Sequence, residues 1–374
     1  MRSPFACRAI AAALLLIVVP CAFPEPDGST ATPSNDWNRF TAAQYLDARQ
    51  TWWMSWPKAR RDHETACVSC HTAVPYALSR PSLRDALKES DVSAPEREML
   101  GYIARRVTLW DELEPFYSDQ KVGPRKTVES RGTESVLNAL ILARYGSREG
   151  RLTELSKKAF EHMWAKQITE GPDAGSWEWL NFHNAPWESN ESHYWGSALA
   201  AVAVGIAPGQ YSRSASIQPK LGALKAYLER NYDSQPMANR LVVLWASSRI
   251  PGLLSASRKA SLLGDVRRLQ RSDGGWSLTD YGEWKRHDNT PLESRSDGYA
   301  TGLTVLALKE AGISTSRPEM KRGIGWLVMN QSAEQGSWPA YSLNKQRDLS
   351  TDVGRFMRDA ATSYAVMALE AVGR

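Results

Sequence analysis

Cysteine is scarce in this chain, and its scarcity limits what the protein can be. The 374 residues include four cysteines, and only Cys67 and Cys70 lie beyond the first 22 residues. An exported domain that depends on a disulfide framework carries a larger, even set of cysteines. Such a framework is therefore excluded, and the remaining pair raises the question of a redox, metal-binding or cofactor role.

Long hydrophobic runs are also lacking. The longest covers residues 9–23 and follows Arg2 and Arg8, a pattern typical of a signal peptide and too short to span a membrane comfortably. We predict a signal peptide over residues 1–22, a flexible leader over 23–37, and export to a bacterial periplasm with no stable membrane span after cleavage. An uncleaved anchor, or lipidation at Cys21, would keep the protein at the membrane, and these are the open alternatives.

The sequence has no concentrated charge of one sign. The formal net charge is +5, and loss of Arg2 and Arg8 with the signal peptide brings it to +3. No run of lysine or arginine stands out. Nucleic acid is therefore not expected as a partner.

Strand patterns are nearly absent, and the periodicity predicts twelve helices in an all-α fold. Half of them are amphipathic and rich in charge, whereas the others are built from Ala, Gly, Leu and Val. An inner ring of the apolar helices, wrapped by an outer ring of the charged ones, accounts for both compositions. One helix is expected to begin after Pro81 and another to end at Gly146.

A short motif recurs after three of the charged helices. Its copies run from Gln167 to Trp177, from Gln270 to Trp276 and from Gln331 to Trp338. "QRSDGGW", the second copy, resembles most closely the Gln–Trp repeat of squalene–hopene cyclases and protein prenyltransferases. The resemblance covers residues 130–374 and implies an α/α toroid, in which the Gln and Trp of each motif stack and tie the end of an outer helix to the next turn.

The resemblance suggests a division of the chain. We predict a helical haem-attachment segment over residues 38–125 and a toroid repeat domain over 126–374. If the three N-terminal helices join the ring, the twelve helices form six pairs.

The chemistry of the resembling families is missing. The cyclases place a strong acid in an Asp-x-Asp-Asp motif, which this sequence lacks, and Asp297 stands alone at the nearest position. The prenyltransferases need a cysteine directly after that Asp to bind zinc, and no cysteine follows Cys70. Neither terpene cyclisation nor zinc-dependent prenyl transfer is expected.

Polar residues cluster where the apolar helices begin, and a ring would gather them at one mouth. They are either cavity residues of unknown catalytic role or caps and ion pairs of the scaffold. The candidates are Glu129, Arg131, Glu134, Arg295, Asp297, Tyr299, Arg358 and Asp359.

The two mature cysteines belong to the sequence Cys67-Val68-Ser69-Cys70-His71. This spacing resembles the attachment motif of c-type cytochromes, and it implies one covalent haem c. Cys67 and Cys70 would form the thioethers, and His71 would be the axial iron ligand. A redox Cys-x-x-Cys pair, a zinc site that includes His63, and a plain structural turn are the alternatives.

The second axial position of the iron is not determined by the sequence. His193, His183 and His63 are the named candidates, and an open position is equally compatible with the pattern. Trp52, Trp53 and Trp56 form an aromatic group that either walls a porphyrin or packs on the toroid.

These observations favour an exported haem c protein with redox or oxygenating chemistry on an apolar ligand, such as an isoprenoid or a lipid. An apolar small molecule and a redox protein are the expected partners. Two alternatives remain: an electron-transfer or ligand-binding haem protein without turnover, and a toroid binding module with a structural Cys-x-x-Cys.

Overall fold

The structure, a computed structural model, describes residues 36–374, and the signal peptide and most of the leader predicted above lie outside them. The periodic segments form helices, as their composition predicts, and the described part of the chain is all-α apart from one small hairpin. The α-helices are α1 Arg39–Ser55, α2 Ala73–Ala86, α3 Ala94–Thr108, α4 Asp119–Val122, α5 Lys126–Glu149, α6 Glu154–Ala165, α7 Ser192–Ile206, α8 Gln218–Asn231, α9 Met237–Ser247, α10 Ala256–Leu269, α11 Gly298–Glu310, α12 Pro318–Met329 and α13 Phe356–Ala371.

The remaining regular structure is short. The strands β1 Arg60–Arg61 and β2 Thr65–Ala66 pair antiparallel. Four short 3-10 helices lie in the connections: Tyr211–Arg213, Ala215–Ile217, Leu278–Tyr281 and Val353–Arg355.

Six of the helices form the core, and each packs against two others. The order of contact is α2, α5, α7, α9, α11, α13 and back to α2. In α11 every residue from Gly298 to Leu308 is buried, because this helix has neighbours on all sides. The charged helices α1, α3, α6, α8, α10 and α12 pack outside them; in α10 only Leu262 and Val266 are buried.

The Gln–Trp motifs connect neighbouring outer helices by the same hydrogen bonds in each copy. The Gln270 side-chain amide donates to the carbonyl of Gly274 at 2.8 Å and to that of Glu319, in the first turn of α12, at 2.9 Å. The Trp276 indole N–H donates back to the carbonyl of Val266 in α10. Gln167 with Trp177, and Gln331 with Trp338, repeat this arrangement.

The last copy of the motif joins the end of the described chain to its beginning. The Gln331 amide nitrogen donates to the Asn38 carbonyl at 2.9 Å, and its oxygen accepts from the Asn38 N–H at 2.7 Å. Gly336, with φ +70°, lies against the backbone of Thr41 so closely that a Cβ atom would come within 2.3 Å of its carbonyl carbon. Asn38 also caps α1, so the motif fixes the point at which the first helix starts.

Two helix boundaries differ from the sequence-based expectation. Helix α2 begins at Ala73 rather than after Pro81, and Pro81 lies inside it. The burial of most of α2 between α13 and α5 outweighs the lost backbone hydrogen bond of the proline. Helix α5 continues through Gly146 and ends before Gly150, whose φ of +71° makes it the residue that terminates the helix.

Residues 36–374 form one compact unit. Helix α2, from the N-terminal side of the boundary predicted at residue 125, lies between α13 and α5 from its C-terminal side. The inner helices therefore come from both predicted segments. The Cys-x-x-Cys-His motif directly precedes α2, the first inner helix along the chain.

Candidate functional site

The Cys-x-x-Cys-His motif lies between the small hairpin and α2. Cys67 continues from β2, and its N–H donates to the Ala59 carbonyl at 2.8 Å. Both cysteines are free and buried. Burial raises the pKa of the Cys67 thiol to about 11 and that of Cys70 well above its ordinary value. Both side chains are therefore neutral thiols at neutral pH, unlike the low-pKa thiolates of redox-active pairs.

Aromatic rings surround the His71 imidazole. Phe356 stacks on it with ring centroids 3.9 Å apart and an interplanar angle of 24°. Trp53 meets it edge-on at 4.9 Å, and Trp187 lies 6.4 Å away. Burial, together with the positive charges of Arg49 and Arg347, lowers the pKa of His71 to about 3. The imidazole is therefore neutral across the physiological range.

The protonation of this neutral imidazole follows from its hydrogen bonds. The Thr72 hydroxyl donates to the Asp359 carboxylate at 2.8 Å, and its oxygen lies 2.8 Å from His71 Nδ1. A hydroxyl has one hydrogen, so the oxygen accepts from Nδ1–H. Nε2 then carries the lone pair, as required of a metal-binding nitrogen.

Asp359 is itself held from three sides. Arg49 binds its two carboxylate oxygens at 2.7 and 3.1 Å, and the Tyr45 hydroxyl donates at 2.8 Å. Burial raises the pKa of Tyr45, which keeps this phenol a donor. The chain from Arg49 through Asp359 and Thr72 to His71 joins α1 and α13 to the motif.

A cavity opens beside Cys70 and His71, where the inner helices α2 and α13 begin. Its volume is about 150 Å³, and Trp187, Phe356 and Met357 form part of its wall. Two connections cover it, one containing Ala185 and the other Asn344. The Asn344 side chain joins them by accepting from the Ala185 N–H at 2.8 Å and donating to the Ala185 carbonyl at 2.7 Å.

Glu188 is the carboxylate in the wall of this cavity. Its side chain is half-buried, and burial raises its pKa to about 7, although the charge of Lys126 acts in the opposite direction. The group can therefore hold or release a proton near neutral pH.

The residues around the motif include the donors that a covalently attached haem needs. Free thiols at Cys67 and Cys70, a neutral imidazole with an oriented Nε2, and an aromatic enclosure form the donor set that haem c requires. The donors fit, whereas the volume of about 150 Å³ lies below the roughly 300–1,000 Å³ of common ligand pockets. A haem would therefore need more room than this cavity provides.

The three histidines proposed for the second axial position do not line this cavity. His63 and His183 are exposed, and the His183 carbonyl accepts from a ring nitrogen of His287. His193 lies in the first turn of α7, and its Nδ1 has no hydrogen-bond partner. Met357 is instead the sulfur donor in the cavity wall.

Most of the polar candidates serve as caps or ion pairs in the described structure. Asp297 caps α11 by accepting from the Ala300 N–H at 2.8 Å. Glu134 is paired with Arg106 inside the protein, and Glu129 with Lys126 at 2.5 Å. Tyr299 accepts a hydrogen bond from Trp187 at 3.0 Å, which places it one residue behind the cavity wall.

The remaining arginine candidates do not line the cavity. Arg295 is exposed and pairs with Glu293 at 3.3 Å, whereas Arg358 donates to Gln335 at 2.8 Å. Arg131 binds the carbonyl of Leu113. Among the candidates from the helix starts, Asp359 is the one that a hydrogen-bond chain connects to His71.

Sequence reasoning missed Thr72, Phe356, Trp187 and Glu188 as parts of this site. Thr72 follows His71 directly, and a hydroxyl next to a proposed ligand is a weak signal. The others lie more than a hundred residues away, and only tertiary packing brings them together.

None of the helices within residues 36–374 is long and apolar enough to cross a membrane. The same residues contain no group of three or more His, Cys, Asp and Glu side chains arranged to hold a metal ion.

Neither a protein-family model nor a curated protein matches the sequence. Solved structures match it in fold. A glycosidase variant is 12% identical, with a TM-score of 0.51, and the match covers 90% of this chain and 97% of that one. A wild-type glycosidase is 10% identical, with a TM-score of 0.49, and the match covers 90% of this chain and 98% of that one. At this identity the likeness concerns the fold alone.

Proposed function

We propose that this chain is an exported haem c protein built on an α/α toroid, with Cys67 and Cys70 as thioether anchors and His71 as the axial ligand. One observation carries the proposal. The imidazole that the motif assigns to iron has its Nδ1–H bound to Thr72, so its Nε2 lone pair is available for a metal.

The toroid part of the proposal rests on the helix contacts. Six helices each pack against two neighbours in a closed order, and six charged helices pack outside them. The Gln–Trp motif that resembles the cyclase repeat connects successive outer helices, including the last to the first.

Different residues around the motif would hold the haem and shield it from water. When bound, haem supplies one-electron redox chemistry or the binding of a small ligand such as O₂. Thr72 and Asp359 fix the orientation of the imidazole, while Phe356 and Trp53 shield it from water. Met357 lies in the wall of the cavity that His71 lines, and its thioether would supply a further donor for the iron of a bound haem.

Glu188 favours a redox reaction over electron transfer alone. A half-buried carboxylate with a pKa near 7 in the cavity wall can exchange a proton with a bound substrate. We therefore place redox or oxygenating chemistry on an apolar ligand first, and a carrier without turnover second.

The alternatives are less well supported by the surroundings of the cysteines. A structural zinc site needs four ligands, and residues 36–374 contain no group of three or more His, Cys, Asp and Glu side chains arranged to hold a metal ion. A glycosidase reaction ordinarily uses a pair of carboxylates, and Glu188 is the single carboxylate in the wall of this cavity. Haem c is attached in the periplasm, so export to that compartment forms part of the same proposal.

The decisive experiment is expression of the full chain in a host with a cytochrome c maturation system. We expect the exported protein to keep a haem stain on a denaturing gel, to gain the mass of one haem, and to begin near residue 23. Cys67→Ala and Cys70→Ala should each reduce covalent loading, and the double variant should abolish it.

His63→Ala is the matched control, because His63 is exposed and does not line the cavity. It should load haem like the parent protein. A native protein with the bare polypeptide mass would refute the haem proposal and leave a helical binding module. Carbon monoxide binding by the loaded protein would argue for an accessible iron, and resistance to it for a carrier.

A further inference from the structure

A second opening lies at the carboxyl ends of the inner helices, at the opposite end of those helices from the cavity beside His71. All six inner helices contribute to its wall: α2, α5, α7, α9, α11 and α13. Its volume is about 520 Å³, within the roughly 300–1,000 Å³ that is usual for ligand pockets.

The wall of this opening combines apolar and charged side chains. Leu78, Ile206, Trp245, Leu306 and Met367 supply an apolar surface contributed by five of the helices. Burial of an apolar chain against such a surface is favourable at roughly 25 cal/mol per Å². The opening therefore suits a ligand with a hydrocarbon part.

Each carboxylate in the wall is already paired with an arginine. Glu310 binds Arg249 at 2.7 Å and Glu370 binds Arg39 at 2.7 Å, while Asp85 is paired with Arg148. Of the three arginine partners, Arg249 lines the opening, whereas Arg39 and Arg148 do not. One further arginine lies in the wall.

That arginine is Arg144, which forms no ion pair with the described residues. Its Nε donates to the Leu78 carbonyl at 3.0 Å and its Nη2 to the Ser82 hydroxyl at 2.7 Å. Within residues 36–374, no hydrogen bond involves Nη1. Burial, and then the charge of Arg148, lowers the pKa of Arg144, although the charges of Asp85 and Glu310 act in the opposite direction.

The carbonyl ends of the helices oppose an anion here, but only locally. The helix dipole acts within about the last turn. Arg144 lies more than one turn before the end of α5 at Glu149. The half-buried Arg144 guanidinium can offer its Nη1 to a carboxylate in a charge-assisted hydrogen bond, which is roughly twice as strong as one between neutral groups.

We propose that this opening binds an amphipathic organic monoanion, a carboxylate with a hydrocarbon tail, with the head group on Arg144. The tail lies against Trp245, Leu306 and Met367. The site is separate from the proposed haem site, so either proposal can fail without the other.

The test is isothermal titration of the full chain with dodecanoate, below the concentration at which it forms micelles. We expect one dodecanoate per chain. Arg144→Gln should weaken binding at least tenfold, which corresponds to about 1.4 kcal/mol. Ala371→Phe, at the half-exposed rim, should obstruct entry and abolish binding without changing the head-group site.

Arg295→Gln is the control for the loss of one positive charge, because Arg295 is exposed and does not line the opening. It should bind dodecanoate like the parent chain. Circular dichroism of each variant separates lost binding from lost folding. Tighter binding of dodecyltrimethylammonium than of dodecanoate, or dodecanoate binding unaffected by both Arg144→Gln and Ala371→Phe, would overturn the proposal.

Discussion

The Thr72 hydroxyl donates a hydrogen bond to Asp359 at 2.8 Å, across 287 positions of sequence. This bond determines that the same oxygen accepts from His71, and it thereby leaves the far nitrogen of the imidazole unprotonated. Asp359 in α13 thus orients, through Thr72, the imidazole of His71.

Replacement of Thr72 by Val should remove the hydrogen bonds that join His71 to Asp359. In the haem-loaded protein, loss of the polarised acceptor makes the imidazole a weaker donor to iron, so the reduction potential should rise. The free energy of unfolding should fall by about 1 kcal/mol through the lost hydrogen bonds. Redox titration and urea unfolding measure the two effects. Thr72→Ser restores the hydroxyl and should restore both values; an unchanged potential in Thr72→Val would contradict the orienting role.

Gly336→Ala should destabilise the contact between the last Gln–Trp motif and α1. The new Cβ would lie 2.3 Å from the Thr41 carbonyl carbon, in addition to the strain of a φ of +70°. Gly209→Ala is a matched control, because its φ is +68° and nothing lies within 4 Å of the added atom. We expect about 1 kcal/mol for Gly209→Ala and at least about 2 kcal/mol more for Gly336→Ala in urea unfolding. Equal losses would show that the close approach does not matter.

Asp297→Asn should change how stability depends on pH. Burial raises the pKa of Asp297 from 3.8 to about 6, although backbone hydrogen bonds act in the opposite direction. Between about pH 4 and 6 the folded chain therefore holds the proton more tightly than the unfolded chain, and the contribution of Asp297 to stability falls as pH rises.

Urea unfolding at pH 4 and pH 7 checks this sign. Relative to Asp297→Asn, the parent protein should be more stable at pH 4 than at pH 7 by about 2–3 kcal/mol. Asp233→Asn, which removes an exposed carboxylate, controls for the change in net charge. The same difference at both pH values would count against a buried, protonated Asp297.

Asn344→Ala should loosen the cover of the cavity beside His71. The variant loses the two hydrogen bonds that join Asn344 to Ala185. At about 1 kcal/mol each, their loss should make opening roughly tenfold or more frequent. In protein made without haem, alkylation of Cys70 by iodoacetamide should accelerate accordingly, as read from fragment-ion mass spectra. Asn330→Ala is the control, since Asn330 binds a carbonyl in α12. No acceleration at Cys70 would mean that other contacts hold the cover closed.

The sequence by itself determined most of the helices. Apolar and charged periodicities are local, so they predicted an all-α fold of twelve helices, close to the thirteen α-helices of residues 36–374. The Gln–Trp motifs could be located from their spacing, but only the tertiary structure shows that they bind the next outer helix. The start of α2 escaped prediction, because Pro81 is a strong local signal that only the surrounding helices override.

The motif Cys67-Val68-Ser69-Cys70-His71 could be located from spacing, but its surroundings could not. Phe356, Met357 and Asp359 lie in the first turn of α13, and nothing in their local pattern connects them to His71. Their meeting depends on α13 packing against α2, which is a long-range contact. Sequence periodicity reports which side of a helix is buried, whereas tertiary structure alone decides which helices meet there.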